Sequence, residues 1–230
     1  TNEGAEDGRI NEGAFAHYLP AAPAYLHKLP SHISLRQGVL VRTVAVCLEG
    51  LRQLGAEPGR TACIIGAGFL GNVCVQIMRV RGLRVTAVDH DPRRLALLYK
   101  YDVDTLSEID DPGKYDYLVE TGGNSEVVSH LAKGSKPGAR VLLLGLPLCR
   151  LDEAGLQQQT GNGKLVECPW AFQPRSWEEA IRLVGSGRIK LDDHAIEVLP
   201  LEAYKDAWAQ VERREHPKVL LSISQELKGL

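Results

Sequence analysis

Residues 66–71 read Gly66-Ala67-Gly68-Phe69-Leu70-Gly71, three glycines in the spacing GxGxxG, and Asp89 follows about 20 residues later. Such spacing also arises by chance, so its surroundings decide what it means. An apolar run over 61–65 precedes the glycines, a helical pattern follows them, and Asp89 closes the next apolar run, 84–89. In that setting each residue has a physical task. Gly66 permits a tight turn, Gly68 lets a pyrophosphate approach the backbone, and Gly71 lets the helix pack closely on the strand. The helix N-terminus adds N–H groups and partial positive charge for the phosphates. Asp89 can accept both hydroxyls of an adenosine ribose and repels a 2′-phosphate, which selects NAD over NADP. Arg93 and Arg94 stand near enough in sequence to offset part of that repulsion. The bland alternative is a strand–helix turn whose aspartate caps the next helix.

Two later segments fit the same site. Glu120-Thr121-Gly122-Gly123 follows one apolar run and Gly145-Leu146-Pro147 another. Ligands of open parallel sheets lie across the carboxyl ends of the strands, where small residues leave room for a nicotinamide ribose and ring. Ordinary loop glycines are the alternative.

The elements that must position these residues are legible as a pattern. Short runs dense in Val, Ile and Leu at 61–65, 84–89, 115–120 and 140–144 read as buried strands. Helical stretches at 69–81, 92–100 and 125–133 separate them. The alternation predicts an α/β protein, a doubly wound parallel sheet of Rossmann type with helices on both faces. A helix over 39–54 precedes it. Further on, Ser176-x-x-Glu179 suggests a capping box for a helix to Ser186, with Gly187 as its stop. A helix over 201–213 and a strand over 218–223 follow. Residues 160–163, Thr-Gly-Asn-Gly, read as a turn.

Composition narrows the partners. The 230 residues are 44% hydrophobic and 24% charged with net charge −2, so no global field draws nucleic acid or an anionic membrane. No apolar stretch is long enough to span a bilayer, and the first residues lack a secretory-signal pattern. The five cysteines are scattered without a CxxC pair, which points to a reducing, cytoplasmic setting. None of the seven histidines falls in HExxH or another ligand spacing. His27 and His32 share a proline-bounded loop, His90 belongs at an adenine edge, and Cys47 belongs to the core.

Beyond the glycine loop, the chain resembles the zinc-type medium-chain dehydrogenases over nearly its whole length. The segments that carry the resemblance are Gly13-Ala14-Phe15-Ala16-His17-Tyr18, Leu26-His27-Lys28-Leu29-Pro30, Gly66–Gly71, Val88-Asp89 and Val141–Pro147. Trp177-Glu178-Glu179-Ala180, Ser186-Gly187-Arg188-Ile189 and Leu199-Pro200-Leu201-Glu202 extend it. The resemblance implies remnants of a catalytic, GroES-like domain at both ends: residues 1–42 as remnant and linker, 43–167 as the cofactor domain, and 168–230 as the return into the catalytic domain. It implies that Asp89 and Arg94 hold the adenosine ribose and that Phe69 and Leu70 lie under the pyrophosphate. Gly66, Gly68, Gly71, Thr121, Gly122, Gly145 and Leu146 complete the expected cofactor site. Pairing through cofactor domains implies a homodimer. The family's first zinc ligands and proton-relay hydroxyl come from a segment preceding the part resembled here. The positions next to its catalytic zinc fall on Val41 and Arg42, neither of them a ligand, so no zinc site and no catalytic residue is assigned.

Three functional readings follow. One is an NAD(H)-dependent oxidoreductase of the alcohol or polyol dehydrogenase type, acting on a small-molecule alcohol or carbonyl. Another is an NAD-binding module without turnover, a regulatory or interaction domain. The third is a zinc-independent reductase using a tyrosine donor, for which Tyr18 and Tyr25 are candidates.

Overall fold

The computed structural model describes residues 15–16, 18–145, 163–167, 173–191 and 196–223. The chain divides into two compact units, residues 37–193 and the combination of 1–36 with 194–230.

The larger unit is built on a six-stranded parallel sheet. Its strands are β1 (Thr61–Ile65), β2 (Arg84–Val88), β3 (Asp104–Leu106), β4 (Tyr117–Glu120), β5 (Ala139–Leu143) and β6 (Gly163–Glu167). Their spatial order is β3-β2-β1-β4-β5-β6. Every pairing is parallel, with Ile65 beside Val88 on one side and Glu120 on the other. The order reverses between β1 and β4, where successive connections leave toward opposite edges and a crevice opens at the carboxyl ends.

Helices cover both faces, as the sequence pattern predicts. These are α1 (Leu35–Leu54), α2 (Phe69–Val80), α3 (Pro92–Ala96), α4 (Ser125–Gly134) and α5 (Pro174–Gly185). Side chains alternate between faces along a strand. Cys63, Leu118, Val141 and Leu143 accordingly pack with Val128 and Leu131 of α4. Leu142 points the other way, where its methyl groups lie 3.1 and 3.3 Å from the place a Cβ on Gly50 of α1 would occupy. Gly50 thus lets α1 lie directly on β5. Burial raises the Cys63 thiol to about 12, and Cys47 and Cys74 are buried too, in keeping with small hydrophobes.

Polar groups lock the helices in place. The side chain of Arg140 donates to the Leu54 carbonyl at the end of α1 at 2.8 Å. Buried Gln76 of α2 accepts from the Lys190 N–H at 2.7 Å and donates to its carbonyl at 3.0 Å. Ser176 does not cap α5: Gln173 is the N-cap, and the Ser176 hydroxyl donates to buried Glu49 of α1 at 2.7 Å. The serine serves a tertiary bond that sequence spacing could not show. Gly187, at φ +68°, does stop α5: its N–H reaches the Val184 carbonyl, and the Arg188 N–H reaches Leu183.

Boundaries elsewhere shift by a few residues. The helix expected over 92–100 breaks into α3 and a 3₁₀ turn at Tyr99–Tyr101. Strand β3 has only three residues and begins on an aspartate, so it carries no apolar run to read.

The smaller unit contains two parallel strands, β7 (Ile196–Pro200) and β8 (Lys218–Ser222), joined through a 3₁₀ turn and α6 (Tyr204–Glu212). The Arg36 guanidinium donates to the Ile196 carbonyl at 3.2 Å.

Asp116 fastens the amino ends of β1 and β4. It accepts from the Thr61 N–H at 2.9 Å and from the Thr61 hydroxyl at 2.9 Å, and it pairs with Lys136 at 2.8 Å. The Lys136 bond first, then the Thr61 N–H, hold its carboxyl well below the usual carboxylate range. A depressed folded-state pKa adds stability that is fully present above the unfolded value of about 3.9 and is lost as pH falls through the folded value. Asp116→Asn is therefore expected to lower unfolding stability by about 1–2 kcal/mol near neutrality. In urea melts the gap between variant and wild type should close as pH falls below about 4. A gap independent of pH would contradict this account.

Candidate functional site: the carboxyl ends of the parallel strands

The loop after β1 is set by contacts on every side. The Gly66 N–H donates to the Val88 carbonyl at 2.8 Å, and Gly66 sits at φ +99°, a conformation that favours glycine. A Cβ on Gly66 would lie 2.5 Å from the Thr121 hydroxyl. That hydroxyl reaches the Ile65 and Gly66 carbonyls at 3.0 Å each. Gly71, in the first turn of α2, comes closer still: its Cβ would stand 1.8 Å from the Gly66 carbonyl oxygen.

Gly68 is different. It is the N-cap of α2 at φ −65° and ψ −171°, a backbone open to any residue, and a Cβ there would meet nothing within 4 Å. Fold geometry therefore explains Gly66 and Gly71 but not Gly68. The space beside it adjoins the first turn of a 12-residue helix, whose N–H groups lack intrahelical acceptors. That is an opening where an anionic group can approach. The Phe69 side chain is buried, so only its backbone faces this region, while Leu70 is half-buried and its carbonyl lies 3.8 Å from the Cys47 sulfur.

Asp89 stands at the end of β2 with its side chain 3% exposed. One carboxylate oxygen accepts from the Ala67 N–H at 2.8 Å, and the other from the Asp91 N–H at 2.9 Å. Arg94 approaches to 3.5 Å and His90 to 3.5 Å. Arg93 turns away to Asp91, whose carboxyl is lowered to about 2, chiefly by that side-chain hydrogen bond. Of the two arginines, Arg94 is thus the one placed at Asp89.

Across the reversal point, Glu120 is buried at the end of β4 and organises the next loop. Its oxygens accept from Gly122 at 2.7 Å, Gly123 at 3.0 Å and Asn124 at 3.4 Å. Gly145, after β5, lies so close that its Cβ would be 2.6 Å from Glu120 and 2.2 Å from the Gly123 nitrogen. Sequence spacing marked Thr121, Gly122 and Gly145 as small residues leaving space. It placed Glu120 at the head of the 120–123 segment without a role of its own; the signal was an acid closing an apolar stretch directly before a pair of glycines. Leu146 lies outside the described residues.

These positions meet at one end of one sheet. Val41 and Arg42 sit on α1, Val41 buried and Arg42 exposed. Among the described residues, no group of three His, Cys, Asp or Glu side chains is placed to hold a metal ion. His27 and His32 join no such group, and Tyr18 and Tyr25 are exposed in the smaller unit. No helix among the described residues is long and apolar enough to cross a membrane.

No protein-family profile matches the chain. It is 26% identical over 208 residues to alcohol dehydrogenase of Geobacillus stearothermophilus, covering 86% of this chain and 60% of that one. It is 25% identical over 238 residues to D-arabitol-phosphate dehydrogenase of Enterococcus avium, covering 95% and 66%. The chain resembles the cofactor-binding portion of a medium-chain dehydrogenase. Its fold matches acetophenone reductase from Geotrichum candidum, solved with NAD, at a TM-score of 0.74 and 22% identity over 88% of this chain and 60% of that one. It also matches galactitol-1-phosphate dehydrogenase from Escherichia coli at 0.76 and 23% over 92% and 67%. The chain spans 60% to 66% of the length of the two sequence relatives named.

The glycines separate folding from binding. Gly71→Ala is expected to destabilise the protein by about 3 kcal/mol, because backbone must move to admit the methyl group. Gly68→Val should cost only about 1 kcal/mol, the ordinary loss of a favoured N-cap residue, because its side chain meets nothing within 4 Å, while abolishing dinucleotide binding. Thermal melts and isothermal titration of both variants check this; a Gly68→Val protein that binds as wild type does would contradict the assignment.

Proposed function

We propose that this chain is the dinucleotide-binding part of an NAD(H)-dependent oxidoreductase of the medium-chain alcohol or polyol dehydrogenase type. The observation that carries the reading is the open side of Gly68 at the α2 N-terminus, beside a loop whose other glycines are fully explained by packing. The bound nicotinamide would supply the chemistry, exchanging a hydride with the carbinol carbon of an alcohol or with a carbonyl. The chain's own residues bind and orient. The α2 N-terminus faces the pyrophosphate, Asp89 and Arg94 face the adenosine ribose, and the loops at Thr121, Gly122 and Gly145, packed on Glu120 and the β1 turn, border the side left for the nicotinamide half. Asp89 favours NAD, because a 2′-phosphate would have to sit against a carboxylate; Arg94, already drawn toward Asp89 and Asp91, is only partly available to compensate.

Titration of the 230-residue chain with NAD and NADP tests this. NAD is expected to bind at least tenfold more tightly. Binding of neither at a Kd below about 1 mM would end the cofactor reading, and equal binding would end the NAD preference.

The second reading, a nucleotide-binding module without turnover, is favoured by Val41 and Arg42, which offer no metal ligand in α1. Binding and catalysis are separable properties of a fold. Metal analysis with a panel of alcohols and polyols distinguishes the two: NAD-dependent oxidation supports the enzyme, and an inactive, metal-free, NAD-binding protein supports the module. The resemblance also leads us to propose a homodimer continuing the sheet, for which β6 is the edge strand beside β5. Sedimentation at monomer mass across micromolar concentrations would contradict the dimer.

A further inference from the structure

We infer that Asp89 is a positioning residue for the glycine loop as well as a ribose acceptor: it holds the loop in its phosphate-binding shape before any dinucleotide arrives. The inference rests on the cofactor reading above and deepens it. Ala67 is the residue between the first two glycines, and its N–H donates to Asp89 at 2.8 Å. Gly66 is tied to the neighbouring strand through Val88, and Asn72 to the Gly68 carbonyl at 2.9 Å. Between those two anchors, the Asp89 carboxylate holds the centre of the loop.

The carboxylate is itself held. Its second oxygen accepts from the Asp91 N–H, the Arg94 guanidinium lies 3.5 Å from the first oxygen, and the His90 ring nitrogen lies 3.5 Å from the second. A carboxylate has about four lone-pair sites. Two are committed to backbone N–H groups, so the ribose would bind to what remains. Charge-assisted hydrogen bonds of this kind are about twice as strong as neutral ones. An asparagine cannot replace this arrangement. It presents one acceptor and one NH₂ donor, so whichever way it turns, an N–H of Ala67 or Asp91 faces a donor.

The two roles differ in sign for NADP. If Asp89 only contacted the ribose, Asp89→Asn would relieve repulsion of the 2′-phosphate, and NADP would bind more tightly. If Asp89 also sets the loop, the pyrophosphate site loosens for every dinucleotide. Asp89→Asn is expected to weaken NAD by more than about tenfold, through the ribose and the loop together, and NADP by about threefold, the relieved repulsion offsetting part of the loss. By NMR, the Ala67 amide of the nucleotide-free wild type should exchange slowly, and at least tenfold faster in the variant. The amides of Cys63 and Ile64 in β1 should be unchanged. NADP binding that is unchanged or tighter in the variant would overturn the inference. If the variant does not melt cooperatively, the wild type decides: a Ala67 amide exchanging at the rate of unstructured chain overturns the inference, and a protected one supports it. Wild-type protein that binds neither dinucleotide, with Ala67 protected, would remove the cofactor reading while supporting the loop contact.

Discussion

The contact on which the site depends is the one between Gly71 and the Gly66 carbonyl, where no side chain of any size fits. It brings the first turn of α2 against the end of β1, so the amino end of the helix opens at the carboxyl edge of the sheet. The positive φ of Gly66 turns the chain, the Thr121 hydroxyl braces that turn from β4, and Val88 receives its N–H from β2. Three strands thus converge on one loop. The opening beside Gly68 is what remains when each of these contacts is satisfied.

Two buried acids share the work on either side of that loop, and both do it with backbone N–H groups. Asp89 serves the β1 and β2 ends; Glu120 serves the turn after β4 and, through its closeness to Gly145, the end of β5. A buried carboxylate is costly unless hydrogen-bonded, and here each oxygen has a donor. The result is a row of loops made rigid from below, with the polar atoms of the acids turned largely inward. A preorganised loop loses less conformational freedom on binding a ligand. Glu49 is satisfied by side chains instead: it pairs with Arg52 of its own helix and accepts from Ser176 of α5, which in turn accepts from Arg52.

Kinship and geometry speak to different halves of an oxidoreductase. The resemblance to medium-chain dehydrogenases extends over most of this chain, and the parallel sheet with its glycine loop accounts for that similarity physically. The chemistry of removing a hydroxyl proton needs a metal or an acid–base group, whereas the two buried acids at the strand ends, Asp89 and Glu120, hold backbone N–H groups of the loops. Binding a dinucleotide and turning it over therefore remain separate propositions, supported by different observations.

The sequence by itself determined the Rossmann class, because four apolar runs alternating with helical patterns admit few other arrangements of buried parallel strands. It located the glycine loop to the residue, since the left-handed turn at Gly66 and the close approach of Gly71 to the Gly66 carbonyl are demands within six residues of chain. Local patterns stopped short where an element draws its stability from a partner. Strand β3 exists because Thr105 pairs with Ala87 and not because of its own composition. Ser176 bonds across to Glu49 and does not cap its own helix. Only the tertiary structure decided which acids and glycines act together. That Asp89 reaches back 22 positions to Ala67, and that Glu120 lies under Gly145, depend on strands distant in sequence lying side by side. Burial then makes such polar contacts obligatory, and one-dimensional spacing carries no record of them.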